Sequence, residues 1–431
     1  MARQMKESEI DWIGEIPSNW KVGKIKYCTT KIGSGKTPKG GSEVYTQTGV
    51  LFIRSQNVYD EGLKLDKPFF ITPEMDSEMS STRVAENDVL LNITGGSIGR
   101  SCIMPASHLP ANVNQHVSII RVRQGLVMPQ IMHYFWMSNA GKTAIDLFQT
   151  GGNREGMSAD AIANTPFLYY GMDEQKRIVC YLDKKCAQID AVISKTNATI
   201  EEYKKLKQSI IVEAVTKGIQ HNRQMKPSGV DWIGKLPADW KVQRGKCLFV
   251  ETNERSIDGH EELLTVSHIT GVTPRSMKNV NMFMAESLVD YKVCHIGDLA
   301  ANTMWMWQGA IGVSKYEGVI SPSYNTYRQR NNSYYYGYLE YLLRIPNLVA
   351  TYAAYSTGIT ASRLRLYPDQ FFSIMFPVPP MSEQKEIADY LDKKCAEIDT
   401  LISKKTALLG ELENYKKSLI YEYVTGKKEV Q

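Results

Sequence analysis

Asp11-Trp12-Ile13-Gly14, followed by Pro17, Trp20, Lys21 and Val22, returns as Asp231-Trp232-Ile233-Gly234, followed by Pro237, Trp240, Lys241 and Val242. The shift is 220 residues (231 minus 11). A second signature, Tyr181-Leu182-Asp183-Lys184-Lys185-Cys186-Ala187 with Ile189-Asp190, returns as Tyr390-Leu391-Asp392-Lys393-Lys394-Cys395-Ala396 with Ile398-Asp399. Here the shift is 209 (390 minus 181), and it holds without a gap from Ile193-Ser194-Lys195 on Ile402-Ser403-Lys404 to Val215-Thr216 on Val424-Thr425. The 431-residue chain is therefore one design used twice. The stretches between the signatures differ in length by 11 residues (220 minus 209), so the ends are shared and the middles have diverged. A common frame carrying two dissimilar inserts is what a reader of two different targets requires.

The second signature lies in a helix. No proline occurs between Pro166 and Pro227, and Leu182, Cys186, Ile189, Ile193, Thr196, Ile200, Tyr203 and Ile210 alternate at spacings of four and three, a heptad seam. The later copy gives Leu391, Cys395, Ile398, Ile402, Leu409, Leu412 and Leu419, interrupted by Lys405 and Lys416, after Pro380 closes the preceding segment. Each helix covers about 40 residues, or about 60 Å at 1.5 Å per residue. Neither buries its seam alone, and an order of module, helix, module, helix lets the two pack most simply when antiparallel. The expected seam contacts are Leu182, Ile189, Ile193, Ile200, Leu391, Ile398, Ile402 and Leu409.

The modules read as short strands and turns, for example Val50-Leu51-Phe52-Ile53, Asp88-Val89-Leu90-Leu91-Asn92-Ile93 and Val117-Ser118-Ile119-Ile120-Arg121-Val122, with a helix over 128–139. Their class is α/β or α+β. The expected division is a module at 1–170, a spacer helix at 171–222, a second module at 223–380 and a second helix at 381–431.

Composition narrows the function. Apolar residues make up 43% and charged residues 23%, with no apolar run long enough to span a bilayer, and the polar start of the chain lacks a secretory pattern. The expectation is a cytoplasmic protein with no membrane partner. Seven scattered cysteines form no Cys-x-x-Cys pair, and seven histidines no His-Glu-x-x-His spacing, so no metal site is expected. Gly33-Ser34-Gly35-Lys36-Thr37 resembles the end of a phosphate loop, but Thr30 stands where the motif needs glycine and Pro38 follows at once. No nucleophile elbow or dinucleotide fingerprint occurs, so no catalytic residue is assigned.

What remains suits nucleic acid. The net charge of +5 permits a polyanionic partner, and Arg, Asn and Gln are the side chains that bond bidentately to guanine or adenine edges. The candidate contacts are Lys36, Thr37, Arg54, Asn57, Arg100, Asn114, Gln115 and Arg154 in the first module. In the second they are Asn302, Trp305, Gln308, Asn325, Arg363 and Arg365. The same layout also suits a coiled-coil scaffold whose modules bind proteins.

The chain resembles the specificity subunit of a type I restriction-modification system over essentially its whole length. The resemblance rests on the Asp-Trp-Ile-Gly, Pro, Trp openings, on Glu174-Gln175 and Glu383-Gln384 at the helix starts, and on the helix endings Glu213-Ala214-Val215-Thr216-Lys217-Gly218 and Glu422-Tyr423-Val424-Thr425-Gly426-Lys427. Gly35 with Thr37-Pro38 also fits that family's target domains. It implies two target recognition domains, each reading half of a split double-stranded DNA site. A pair of antiparallel helices would space them, with internal pseudo-two-fold symmetry. It further implies docked methyltransferase subunits, two from the pseudo-symmetry, carrying S-adenosylmethionine, and restriction subunits using ATP and Mg2+, with no cofactor on this chain.

Overall fold

The computed structural model describes residues 3–149, 156–278, 287–358 and 364–430. The chain separates into two compact units, Met1–Thr196 with Ala407–Gln431, and Asn197–Thr406. Two long helices, α1 (Met172–Lys217) and α2 (Met381–Val424), are divided between them. Each unit thus holds one module, the opening half of the helix that follows it, and the closing half of the other helix.

In the first unit the module contributes β1 (Thr29–Ser34), β2 (Val50–Ile53), β3 (Phe69–Ile71), β4 (Val89–Asn92), β5 (Ser101–Ile103), β6 (Ala111–Val113) and β7 (Val117–Val122). Its main sheet runs β5-β4-β7-β1, antiparallel throughout, and β6-β2-β3 forms a second sheet in which β6 is parallel to β2. The expected helix over 128–139 is two, Pro129–Met137 and Asn139–Phe148. Ser138 stops the first by its extended backbone and caps the second, its Oγ accepting from Gly141 N at 3.5 Å.

In the second unit β8 (Phe249–Thr252), β9 (Leu299–Ala301), β10 (Ile311–Val313) and β11 (Asn325–Gln329) form an antiparallel sheet in the order β10-β9-β11-β8. Position for position, this is the β5-β4-β7-β1 order. Among the described residues three short helices follow the sheet in each module, and a closing strand pairs with an opening one: Pro166–Tyr169 with Lys21–Lys24, and Met375–Val378 with Lys241–Arg244. The middles have diverged in sequence while keeping one sheet.

An ion pair between a partly exposed arginine and a buried aspartate ties each sheet. Arg121 of β7 grips Asp88 through Nε and Nη2 at 2.7 and 2.8 Å, and Arg328 of β11 grips Asp298 the same way at 2.8 Å each. Both carboxylates are buried just before the hairpin strand, where a bidentate guanidinium offsets their desolvation.

The shared opening motifs now have a physical reason. Trp20 and Trp240 are fully buried, and each indole donates to the glutamate that opens its long helix: Nε1 to Glu174 Oε2 at 3.1 Å, and Nε1 to Glu383 Oε2 at 2.8 Å. Arg3 and Arg223 pair with the same two carboxylates. The neighbouring glutamines brace the modules from inside. Gln175 donates to Leu126 O and Tyr170 O and accepts from Met128 N, and Gln384 donates to Ser333 O and Pro379 O and accepts from Tyr335 N. Gly14 and Gly234 each turn the chain at a φ near +67°, which favours glycine.

Within the first unit the helix halves run antiparallel: Tyr181 meets Tyr423 with ring centroids 4.5 Å apart, and Asp190 meets Lys416 at 2.7 Å. The second unit repeats the pair as Asp399 with Lys207 at 2.7 Å, and the ends 214–215 and 387–391 share one core. Of the eight seam positions, Leu182, Ile189, Ile200, Leu391 and Ile398 are buried, while Ile193, Ile402 and Leu409 are half-buried. Each fully buried position contributes about 1.5–3 kcal/mol.

Candidate nucleic-acid interface

Antiparallel pairing decides where the loops emerge. β1 and β4 end on the edge of the sheet where β7 begins, because Ser34 and Ser118 are paired, as are Asn92 and Val117. Residues 35–37, 93–100 and 114–116 therefore leave from one end. The second sheet joins them there: β2 and β6 are parallel and finish together, and Asn114 N donates to Ile53 O at 3.0 Å, bringing Arg54 beside Asn114. Gly35 belongs to this convergence rather than to a phosphate loop, since a Cβ on it would lie 2.0 Å from Val113 O. Its neighbour Lys36 is exposed, with its N–H bonded to Val113 O.

Arg54 sits on an aromatic ledge. Phe52 pairs across with Phe69, and a residue two further along a strand points to the same face, so Arg54 reaches over Phe69 with its guanidinium carbon 3.6 Å from the ring centroid and 5.8 Å from that of Tyr45. Asn57 locks the backbone beneath it: Oδ1 accepts from Arg54 N at 3.0 Å and Nδ2 donates to Lys64 O at 2.9 Å. Arg100 and Lys64 lie over Tyr59, at 4.7 and 4.0 Å. Asn92 joins the two arginines' segments, donating through Nδ2 to Ser55 O and through its backbone N to Arg100 O, both at 2.8 Å.

The second sheet has the same working end, from which 253–255, 302–310 and 321–324 emerge. Asn302 starts the hairpin loop, donating to Tyr324 Oη and accepting from Met304 N. Trp305 is 48% exposed and nearly parallel to Trp307, with centroids 6.4 Å apart and a 14° tilt. Asn325 is buried, accepting from Lys292 Nζ and donating to Tyr327 Oη, and burial lowers the Lys292 ammonium below its ordinary range. Beside this end, His295 bridges Glu254 at 3.0 Å and Glu317 at 2.9 Å, chiefly the Glu254 bond raising its pKa.

The candidate contacts thus sort by position. Lys36, Thr37 and Gln115 are exposed at the first working end, and Arg54 and Arg100 are half-buried there. Trp305 and Gln308 share the second hairpin loop, and Arg365 is exposed on a bridge to Thr357. Asn57, Asn114, Asn302 and Asn325 are buried, with side chains bonded within their own unit, Asn114 Oδ1 accepting from His116 N. Arg154 and Arg363 lie outside the described residues. Sequence reasoning missed the ledge residues Tyr45, Tyr59 and Phe69; the one signal was Phe52-x-Arg54 alternation, whose partner strand starts 15 residues later (69 minus 54).

Each of the two modules is thus built on one repeated frame with its loops gathered at one end. Along its length the chain is similar to specificity subunits of type I restriction enzymes. It is 21% identical over 435 residues, covering 96% of this chain and 95% of the relative, to a putative type I restriction enzyme MjaX specificity subunit of Methanocaldococcus jannaschii. Against the type I restriction enzyme EcoBI specificity subunit of Escherichia coli it is 24% identical over 247 residues, covering 57% of this chain and 46% of the relative. Its fold matches a chain from a structural study of assembly and conformational transition in the type I R-M system, with TM-score 0.71 at 16% identity, covering 96% and 99% of the two chains. It also matches the crystal structure of an HsdS subunit from Thermoanaerobacter tengcongensis, with TM-score 0.51 at 16% identity, covering 96% and 98%. No family model matches the chain.

Proposed function

We propose that this chain is the noncatalytic DNA-specificity subunit of a type I restriction-modification complex. The observation that carries it is the recurrence of one antiparallel sheet, with its loops gathered at one end, in two modules whose loop residues differ. The domains at 1–170 and 223–380 each read one half of a split site in the major groove. The helices at 171–222 and 381–431 set the gap and dock methyltransferase subunits. S-adenosylmethionine, ATP and Mg2+ belong to those subunits and to the restriction subunits.

The repeated exposed apolar positions of the helices support two methyltransferase copies. Val192 and Leu206 of α1 and Leu401 and Tyr415 of α2 are exposed apolar positions related by the same 209-residue shift (401 minus 192, 415 minus 206), so one partner surface is offered twice.

The test is single-molecule sequencing of adenine methylation in cells expressing the chain with a methyltransferase subunit. A split motif appearing only with the chain is expected. One helical turn inserted at equivalent places in α1 and α2 adds about 5.4 Å. It should lengthen the gap and leave both half-sites unaltered. Altered half-sites with a constant gap would overturn the spacing mechanism.

A further inference from the structure

Most arginines of the first module have an acceptor: Arg83 bonds Asp76, Arg121 bonds Asp88, and Arg123 bonds Thr29 O. Arg54 and Arg100 are different. Among the described residues neither guanidinium has a hydrogen-bond or ion-pair partner, and the Nε of Arg54 is buried without one. Leaving a half-buried cation uncompensated costs stability, so such a group points to an acceptor supplied from outside.

The ring beneath each arginine restricts what that acceptor is. With the ring of Phe69 3.6 Å from Arg54 Cζ and that of Tyr59 4.7 Å from Arg100 Cζ, the donors that each guanidinium has left for a ligand are its unpaired terminal N–H groups. A planar edge of parallel donors matches a pair of acceptors lying side by side, which guanine presents in the major groove as N7 and O6. The orientation is fixed in advance. Asn57 holds the Arg54 backbone, and Asn92 ties the Arg54 and Arg100 segments together. Less rotamer freedom is then lost on binding.

We propose that Arg54 and Arg100 are the specificity-determining pair of the first module, each reading a guanine edge in its half-site, with Asn57, Phe69 and Tyr59 as positioning residues. The proposal rests on the DNA-reading function proposed above and names the chemistry read at one of its two ends. Among the described residues of the second module no unpaired arginine lies over a ring, and Trp305 and Trp307 occupy its hairpin loop.

The experiment compares methylation motifs written by the full chain with its methyltransferase subunit, wild type against Arg54→Gln, Arg54→Lys and Arg100→Gln. The wild type should write a first half-site containing guanine·cytosine pairs. Each Gln variant should lower the preference at one such position by roughly 10- to 100-fold while the gap and the second half-site stay as they were. Because the two units can open separately, wild-type hydrogen-exchange protection of the first unit certifies that its variants are folded.

Arg54→Lys keeps the charge but not the fork. Lost guanine preference with lysine supports base reading, and a motif unchanged by lysine and glutamine overturns it. A first half-site without guanine·cytosine pairs overturns the proposal by itself. A wild-type chain that writes no split motif overturns the DNA-reading function as well, which separates the two failures.

Discussion

The hairpin loop between β4 and β5 reads Thr94-Gly95-Gly96-Ser97, and its counterpart between β9 and β10 reads Met304-Trp305-Met306-Trp307. Both leave the same strand position and end on a glycine of positive φ, Gly99 at +81° and Gly309 at +87°. Yet one offers bare backbone with open space around Gly95 and Gly96, and the other an exposed tryptophan stacked on a second. Buried contacts, Met306 in the second loop among them, fix the loop's place and leave its exposed positions free to differ. A frame built this way keeps its fold while its loops are rewritten.

The largest effects should therefore be equal in the two units. Trp20→Ala and Trp240→Ala each empty a fully buried site and strip a donor from the helix-opening glutamate, at a cost of about 3–5 kcal/mol. Hydrogen exchange on the full chain should show each variant opening its own unit. Unequal losses would mean that the frames are not equivalent.

Smaller effects should be unequal. Trp305→Ala removes an exposed aromatic and should leave thermal unfolding within about 0.5 kcal/mol of the parent. If the loop stacks on or wedges against bases, duplex affinity should fall roughly tenfold, about 1.4 kcal/mol, with only the second half-site relaxed. Gly96→Ala in the first hairpin meets open space and should alter neither property. A Trp305→Ala chain that binds duplex normally would remove the aromatic loop from the reading surface.

The smallest contrast is in pH. Burial pushes the His133 imidazole from an ordinary 6.5 down to about 4. Between these values the unfolded chain holds a proton that the folded one refuses, so this residue makes the first unit less stable as pH falls from 6.5 towards 4. His295 is shifted the other way by Glu254 and Glu317. Its contribution is fully present below 6.5 and is lost as pH rises through its raised pKa. Limited proteolysis should find the first unit loosening in acid and the second above the imidazole range, with His133→Gln and His295→Gln each flattening its own response. Identical profiles for the two units would contradict this assignment.

The sequence showed the frame because the frame repeats side chains. Trp20 and Trp240, Glu174 and Glu383, and Asp190 and Asp399 recur at constant shifts, and the long helices show themselves through a seam sustained over many turns. The sheet order was hidden because its strands are three to six residues long and their common anchor joins distant residues. Asp88 and Arg121 lie 33 residues apart (121 minus 88), whereas Asp298 and Arg328 lie 30 apart (328 minus 298), so no single shift aligns them. Among the candidate contacts, side-chain chemistry alone could not tell a reading amide from a bracing one. Asn57 and Asn325 have the right groups, and the fold uses them internally.

Tyr421 Oη donates to the carbonyls of Trp12 and Ile13, Lys427 bonds Glu15 O, and Gly426 packs against Pro17 and Trp20. On the ribosome this has a temporal meaning. The first unit lacks a wall of its core, Leu419, Ile420, Tyr423 and Val424, until more than 200 further residues have been made after Thr196. At about 5–20 residues per second that is a wait of roughly 10 to 40 seconds. The second unit, Asn197–Thr406, is contiguous and can close as soon as it emerges. The module synthesised first is completed last, and during that interval its exposed apolar floor is the part of the nascent chain most in need of a chaperone.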